Sequence, residues 1–285
     1  MRNTLYQINS RYKTVIPFLF YTTEKERQMM SYVLTDEDGN VVVIDGGWRE
    51  DAEYLLAVLK EIAGREKPVV KGWFLTHAHS DHIEAFCELV QNHEDEFEVE
   101  KVYCNFPAED FIAKNEPSEL HTIQEYNALL PSLSEKVRLV RAGEKIVVGK
   151  MAFEILQVYD EAETNNAINN SSTIFRFWLN NKSVLFLGDA GIESGARLLK
   201  TYGKSLKSDF CQMAHHGQRG VEKAVYGAIL PKACLWDTPD WLWENDAGKG
   251  FDSHVFKTVE VRTWMQEIGV KQHFCTKDGI SVINL

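Results

Sequence analysis

No stretch of this chain approaches the roughly 18 consecutive apolar residues of a membrane-spanning helix, so none is expected. The N-terminus, Met-Arg-Asn-Thr-Leu-Tyr-Gln-Ile-Asn, lacks the apolar centre of a secretory leader. Cysteine is scarce: Cys87, Cys104, Cys211, Cys234 and Cys275 are odd in number, widely spaced and without a Cys-x-x-Cys pair. They read as small buried hydrophobes in a reducing compartment. A basic excess is also missing. With 31 Lys and Arg against 42 Asp and Glu, the net charge of −11 argues against nucleic acid or an anionic membrane as partner. A phosphate substrate is still compatible with that charge, because bound metal ions invert the local field. Low-complexity segments, repeats and linker-like stretches are lacking too. These absences predict a cytoplasmic protein forming one domain over residues 1–285.

What is present suits an α/β chain. The 285 residues are 44% hydrophobic and 26% charged, enough for a sizeable core. Strand and helix signals alternate. A hairpin is predicted from Met30–Thr35 and Val41–Ile44, then a helix over Arg49–Ala63, a strand over Val69–Leu75, a helix over Ile83–Gln91 and a strand over Val99–Cys104. A helix over Glu119–Leu133 and strands over Val137–Val140 and Phe153–Val158 follow. Thr173–Leu179 and Ser183–Leu187 form a second hairpin signal. Phe210–Ala214 and Ala233–Trp236 read as strands, Val221–Ile229 and Ser253–Glu267 as helices. A terminal strand pair is expected to turn at Lys277-Asp278-Gly279. The expected architecture is two sheets packed face to face with helices outside.

The chemistry concentrates at Thr76-His77-Ala78-His79-Ser80-Asp81-His82. Imidazole nitrogen and carboxylate oxygen are preferred ligands of zinc, iron and manganese. In an extended segment His77 and His79 point the same way, and Asp81 and His82 follow as the chain turns into a helix. One pair can hold one metal and the other pair a second. Such ions would be under-coordinated without a bridging carboxylate and a further imidazole. Asp189, and one of His215 and His216, end apolar strands and are the expected suppliers; Asp45 ends another.

The order Asp45, His77-x-His79-x-Asp81-His82, Gly188-Asp189, His215-His216-Gly217 resembles the metallo-β-lactamase superfamily from about Met30 onward. Asn169-Asn170-Ser171-Ser172, the Leu-Gly-Asp ending, the His-His-Gly turn, His254 opening a late helix and the terminal Thr-Lys-Asp-Gly-Ile-Ser resemble the hydrolase domain of DNA-uptake competence proteins and the phosphorylcholine esterases. The resemblance implies a four-layer αβ/βα sandwich of two mixed sheets with outer helices. It implies two divalent ions, zinc first and manganese or iron as alternatives. His77 and His79 would bind one, Asp81, His82 and His216 the other, and Asp189 would bridge them. Asp45 would orient a ligand histidine by accepting its other N–H. Many relatives supply another histidine before the bridging Asp; here Asn169-Asn170 takes that place, and His93 and His121 read as surface residues. Asn170 is accordingly expected beside the ligands, not among them.

The implied activity is a metal-dependent hydrolase using a metal-bridging hydroxide, acting on a phosphodiester or related phosphoester. Asp81, His215 and His254 are its candidate catalytic groups. A carbonyl hydrolase (thioester, lactone or lactam) and a binding module without chemistry are the alternatives. Trp236–Asp252, with three Trp and a Phe among acids and glycines, is expected to wall the site for a small substrate such as a phosphocholine-like group. The rival reading packs these rings on the domain's own flank or on the partner of a homodimer.

Overall fold

A computed structural model describes residues 2–133 and 135–285. The layering is set by strands buried on both faces. In Val41–Asp45 every residue is buried; Val41 and Val43 point to one core, Val42 and Ile44 to another. Successive side chains alternate in this way in any strand, so a strand covered on both sides reads as an unbroken apolar run. Strand Val69–Phe74 is buried on both faces only at its end, Gly72–Phe74. Trp73 packs outward on Phe86 and Phe97, at centroid distances of 5.0 and 6.0 Å, while Phe74 stacks inward on Phe153 at 4.3 Å.

Among the described residues, the strands form two large sheets and a small ribbon of Lys13–Thr14 with Lys25–Glu26. The eight-stranded sheet runs Ser281–Asn284, Thr4–Gln7, Ser31–Thr35, Val41–Asp45, Val69–Phe74, Val102–Cys104, Val137–Leu139, with Glu98–Val99 also paired to Val69–Phe74. It is antiparallel up to Val41–Asp45 and parallel beyond. The seven-stranded sheet runs Lys145–Val148, Met151–Gln157, Ile174–Leu179, Lys182–Phe186, Phe210–Gln212, Ala233–Trp236, Gln272–Cys275, antiparallel in its first half and parallel in its second. Tyr32, Phe74, Phe153, Phe175, Phe177 and Phe186 fill the space between the sheets. Each such ring contributes about 1.5–3 kcal/mol on burial.

Helices Ala52–Ala63, Ser80–Asn92 and Leu120–Leu133 cover one outer face. Helices Ile192–Tyr202, Lys223–Ile229 and Thr258–Ile268 cover the other. The result is the expected four-layer sandwich. No helix among the described residues is long and apolar enough to cross a membrane.

Several expectations need correction. The terminal strands are not a hairpin: Gln272–Cys275 closes the second sheet, and after the turn Ser281–Asn284 crosses to pair with Thr4–Gln7 in the first. Lys277 donates its N–H to the Thr238 carbonyl and pins that crossover. The predicted strand Val99–Cys104 is two short pieces, Glu98–Val99 and Val102–Cys104. The second helix begins at Ser80, so Asp81 and His82 lie in its first turn, where the helix dipole favours the Asp81 carboxylate. The last helix begins at Thr258, after Lys257 in the left-handed region, so His254 lies in the preceding loop.

Candidate metal centre

The strand ends of both sheets meet at one edge of the sandwich. Strand Val41–Asp45 ends in Asp45 at φ 51°. Strand Val69–Phe74 leads into His77 and His79, and the helix after it carries Asp81 and His82. From the second sheet, Lys182–Phe186 is followed by Asp189, and Phe210–Gln212 by the turn Ala214–Gly217. His215 and His216 sit there at φ 52° and 55°. Non-glycine residues avoid this region, and such strain is typically held at functional positions by the surrounding packing.

Two ligand groups result. Ligand atoms of His77, His79 and Asp189 lie within 4.8 Å of one another, and so do those of Asp81, His82 and His216. Asp189 reaches both: its carboxylate is 4.0 Å from His77 Nε2 and 3.2 Å from His82 Nε2 and His216 Nε2. Asp81 Oδ2 lies 3.1 Å from His216 Nε2. The chain thus brings these six side chains together in two groups that meet at Asp189.

Hydrogen bonds behind the rings decide which nitrogens face inward. His82 Nδ1 donates to Asp45 Oδ2 at 2.7 Å, leaving Nε2 towards Asp189. Thr76 Oγ1 donates to the same oxygen at 2.6 Å and accepts from His77 Nδ1 at 3.1 Å, leaving His77 Nε2 free. Asp45 thus contacts two rings, one directly and one through Thr76, an arrangement that can orient ligand histidines. Burial raises its carboxyl, opposed by His82 and Thr76.

The site has the character of a cation centre. His77 Nε2 and His79 Nδ1 face each other at 3.1 Å. Once the outer ring nitrogens carry protons these are two lone pairs, an arrangement that a cation between them resolves. His82 Nε2, Asp189 Oδ1 and both ring nitrogens of His216 are buried without a hydrogen-bond partner. Leaving such groups unpaired costs about 1–3 kcal/mol each. Burial opposes charge at Asp189, yet His216 and His82 hold its carboxyl well below the usual range. Burial likewise opposes charge on His82, yet Asp189 and Asp45 raise it well above an ordinary imidazole. The acids demand positive charge at this spot, and the donor set fits divalent ions.

Asn170 is not a ligand. Its Oδ1 accepts from Gly191 and Ser194 N–H at 3.0 and 3.2 Å, and its Nδ2 donates to Asn165 O and Glu193. It ties down the turn after Asp189, while Ser172 Oγ accepts the Asp189 N–H at 3.0 Å. His215 lines the groove with Nδ1 bound to the Arg219 carbonyl at 3.2 Å, so Nε2 faces Asp189 at 3.9 Å. His254 is elsewhere: its ring packs 3.9 Å from Phe256 and 6.1 Å from Phe18. The aromatic segment behaves similarly. Trp236 and Trp241 are buried in the protein's own flank, and no ring of 236–252 lines the groove over the ligands. His93 pairs with Glu96 near the surface, whereas His121, though exposed, stands on the groove rim.

Sequence reasoning missed Glu116, Gln28 and Asp237. Glu116 Oε1 lies 3.8 Å from His79 Nε2, and its other oxygen accepts the Ile168 N–H at 3.0 Å. Burial would raise its carboxyl, but His79 and the Ile168 N–H lower it. Glu116 thus lies near His79 without the direct hydrogen bond that joins Asp45 to His82. Gln28 donates to Asp81 Oδ2 at 3.2 Å. Asp237, pushed up to about 6 by burial, accepts from Tyr32, Gln7 and Gln212 between the sheets; Gln212 also donates to the Gly188 carbonyl just before Asp189. Glu116→Gln should remove the negative charge that favours a proton on His79 Nε2, and so weaken the preference for Nδ1 facing the first cluster. First-site metal affinity should fall roughly 10–100-fold with the second site little changed, as read by competition with a chelator.

A family model of the metallo-beta-lactamase superfamily matches residues 25–224. The chain belongs to that superfamily. Solved structures agree in fold. The metallo-beta-lactamase fold protein YhfI from Bacillus subtilis superposes with a TM-score of 0.56 at 11% identity, covering 99% of this chain and 100% of that one. Zn(2+)-bound PqqB from Methylobacterium extorquens gives 0.56 at 9% identity, covering 99% and 100%. A diphosphatase of the PhnP family gives 0.52 at 13% identity, covering 99% and 98%. No curated protein matches the chain in sequence. Within this superfamily member, the ligand groups stand on the floor of a groove of about 440 Å³, lined by Arg27, Trp48, Glu119, His121, His215 and Gln218.

Proposed function

We propose that the protein is a metal-dependent phosphoesterase acting on a small substrate. The observation that carries this reading is the sharing of Asp189 by two ligand groups on the floor of one open groove. His77, His79 and Asp189 would hold one divalent ion, and Asp81, His82, His216 and Asp189 the other. When bound, such a pair acidifies water and offsets charge on the attacked group and the leaving oxygen. Imidazoles with carboxylates suit zinc first, with manganese and iron as alternatives.

The chain's own residues do the rest. Asp45 and Thr76 would hold the tautomers of His82 and His77, with the Glu116 carboxylate near His79 Nε2, so that ligand nitrogens face inward without reorganisation. His215, with Nδ1 fixed on Arg219 O, presents Nε2 to the groove as the group that moves a proton. A groove of about 440 Å³ suits a small molecule better than a polymer. The fold-level likeness to a diphosphatase supports phosphorus chemistry by analogy of scaffold.

The test is elemental analysis of the purified protein, followed by turnover of bis-p-nitrophenyl phosphate after loading with zinc or manganese. Two ions per chain and phosphodiester turnover are expected. His79→Ala should cost on the order of 10²-fold in rate, a few kcal/mol of lost charge stabilisation. Hydrolysis of thioesters, lactones or lactams with no phosphodiesterase activity would move the assignment to a carbonyl hydrolase. A protein without metal, whose melting temperature ignores zinc and manganese, would be a binding module.

A further inference from the structure

The groove is electrostatically lopsided. Arg27 is the one Lys or Arg among its described lining residues, and Glu119 and His121 also line it. Arg49, Arg138, Arg176 and Arg197 are paired with carboxylates, whereas Arg2, Arg11, Arg65, Arg141 and Arg219 have no such pair among the described residues and do not line the groove. Arg27 has no carboxylate partner among the described residues, and its Nε is buried without a hydrogen bond. A guanidinium has donors in a rigid fork shaped for a carboxylate or phosphate. One left without a carboxylate beside the ligand groups, in a chain of net charge −11, is suited to bind an anion there.

Its position is fixed by the scaffold. The Arg27 N–H donates to the Tyr12 carbonyl at 3.0 Å. The guanidinium lies over the Trp48 ring, 4.5 Å from the centroid, and Tyr12 meets that ring edge-on at 6.0 Å. Trp48 Nε1 in turn donates to the Gln28 carbonyl at 2.7 Å, and Gln28 touches Asp81. Stacking on an aromatic face holds the fork while leaving its edge free. Arg27 is therefore tied through one neighbour to a ligand of the second cluster, beside the place where the bond would be cleaved.

We propose that Arg27 is a specificity-determining residue, and that the substrate carries a second oxyanion (phosphate or carboxylate) besides the group that is cleaved, which Arg27 holds. This rests on the phosphoesterase reading for the bond broken, but not for the anion bound. The test uses the full chain loaded with zinc and measures affinities by calorimetry for two ligand pairs. Thymidine 3′,5′-bisphosphate and thymidine 5′-monophosphate differ by a phosphate; 3-phosphoglycerate and glycerol 3-phosphate differ by a carboxylate.

In at least one pair the member with two anionic groups should bind about tenfold tighter than the member with one (called doubly and singly anionic below for the number of groups), the worth of one charge-assisted contact. The pair that shows this preference identifies the anion. Arg27→Ala should bring the ratio near one while leaving the singly anionic member within about twofold, and Arg27→Lys should keep part of it. Should Arg27→Ala lose its fold, Arg27→Gln carries the same comparison. Ratios near one in the native protein for both pairs, or a ratio that survives Arg27→Ala and Arg27→Gln, would overturn the proposal. A native protein that hydrolyses no phosphoester yet keeps an Arg27-dependent ratio would sink the activity reading and leave the anion site standing.

Discussion

Asp189→Ala should reduce bound metal from two ions per chain to one or fewer, with turnover falling on the order of 10⁴-fold. No other side chain among the described residues is expected to do this, because among them Asp189 alone belongs to the first ligand group while lying 3.2 Å from His82 and His216 of the second. Removing His79 takes one ligand from one group; removing Asp189 takes one from each. The buried rings around it would also lose the carboxylate that balances them, since His82 and His216 are both raised by Asp189 against the effect of burial. Asp189→Asn keeps one oxygen and should fall between the native protein and the alanine variant in ion count. Elemental analysis with parallel rate measurements checks both variants. Two ions still bound by Asp189→Ala would mean that Asp189 does not bridge, and that the clusters are independent sites.

Much of this centre is legible in the chain because it is local. His77, His79, Asp81 and His82 fall within six positions, and Asp45, Asp189 and His216 each follow an apolar strand, so their placement needs only strand ends to converge. The sandwich is legible for a related reason: strands such as Val41–Asp45 are buried on both faces and show as unbroken apolar runs.

What was illegible depends on tertiary contacts. Glu116 comes near His79 from the C-terminal end of the helix Glu109–Asn115, and Arg27 reaches the groove from an N-terminal excursion with no apolar pattern. The helix start at Ser80 is hidden because Ser80, Asp81 and His82 are polar and buried for the sake of the site, not the core. The last two strands read as a hairpin because adjacency in sequence is the usual guide to pairing, yet each has a neighbour in a different sheet. The tryptophans of 236–252 are open to two placements in the sequence, and His254 reads as a helix start beside the site, because composition cannot say which way a loop folds. Here they pack against Phe18, Phe256 and the core.

Gly217→Ala should be the most damaging single-methyl change in the molecule's second half, costing about 2–5 kcal/mol of stability. That range joins about 1–2 kcal/mol for a left-handed residue and about 1–3 kcal/mol for overpacking. Gly217 sits at φ +77°, and a Cβ there would lie 2.3 Å from Trp236 Cε3. Trp236 cannot yield easily: it is fully buried, its Nε1 donates to His273 at 3.0 Å, and its ring meets Trp243 edge-on at 5.2 Å. The turn is the part that can move. It carries His216, whose carbonyl accepts from Thr238 Oγ1 at 2.5 Å. The same substitution should therefore loosen the second ligand group and lower the midpoint of thermal unfolding by roughly 5–15 °C. Gly227→Ala is the matched control. It lies inside the helix Lys223–Ile229, with no atom within 4 Å of its added Cβ, and should raise stability by about 0.5–1 kcal/mol. Calorimetric melting of both variants, with ions counted in each, separates strain at the His215-His216-Gly217 turn from any general intolerance of glycine replacement. Equal melting temperatures for the two would show that the turn relaxes around the methyl group and that His216 is not held by it.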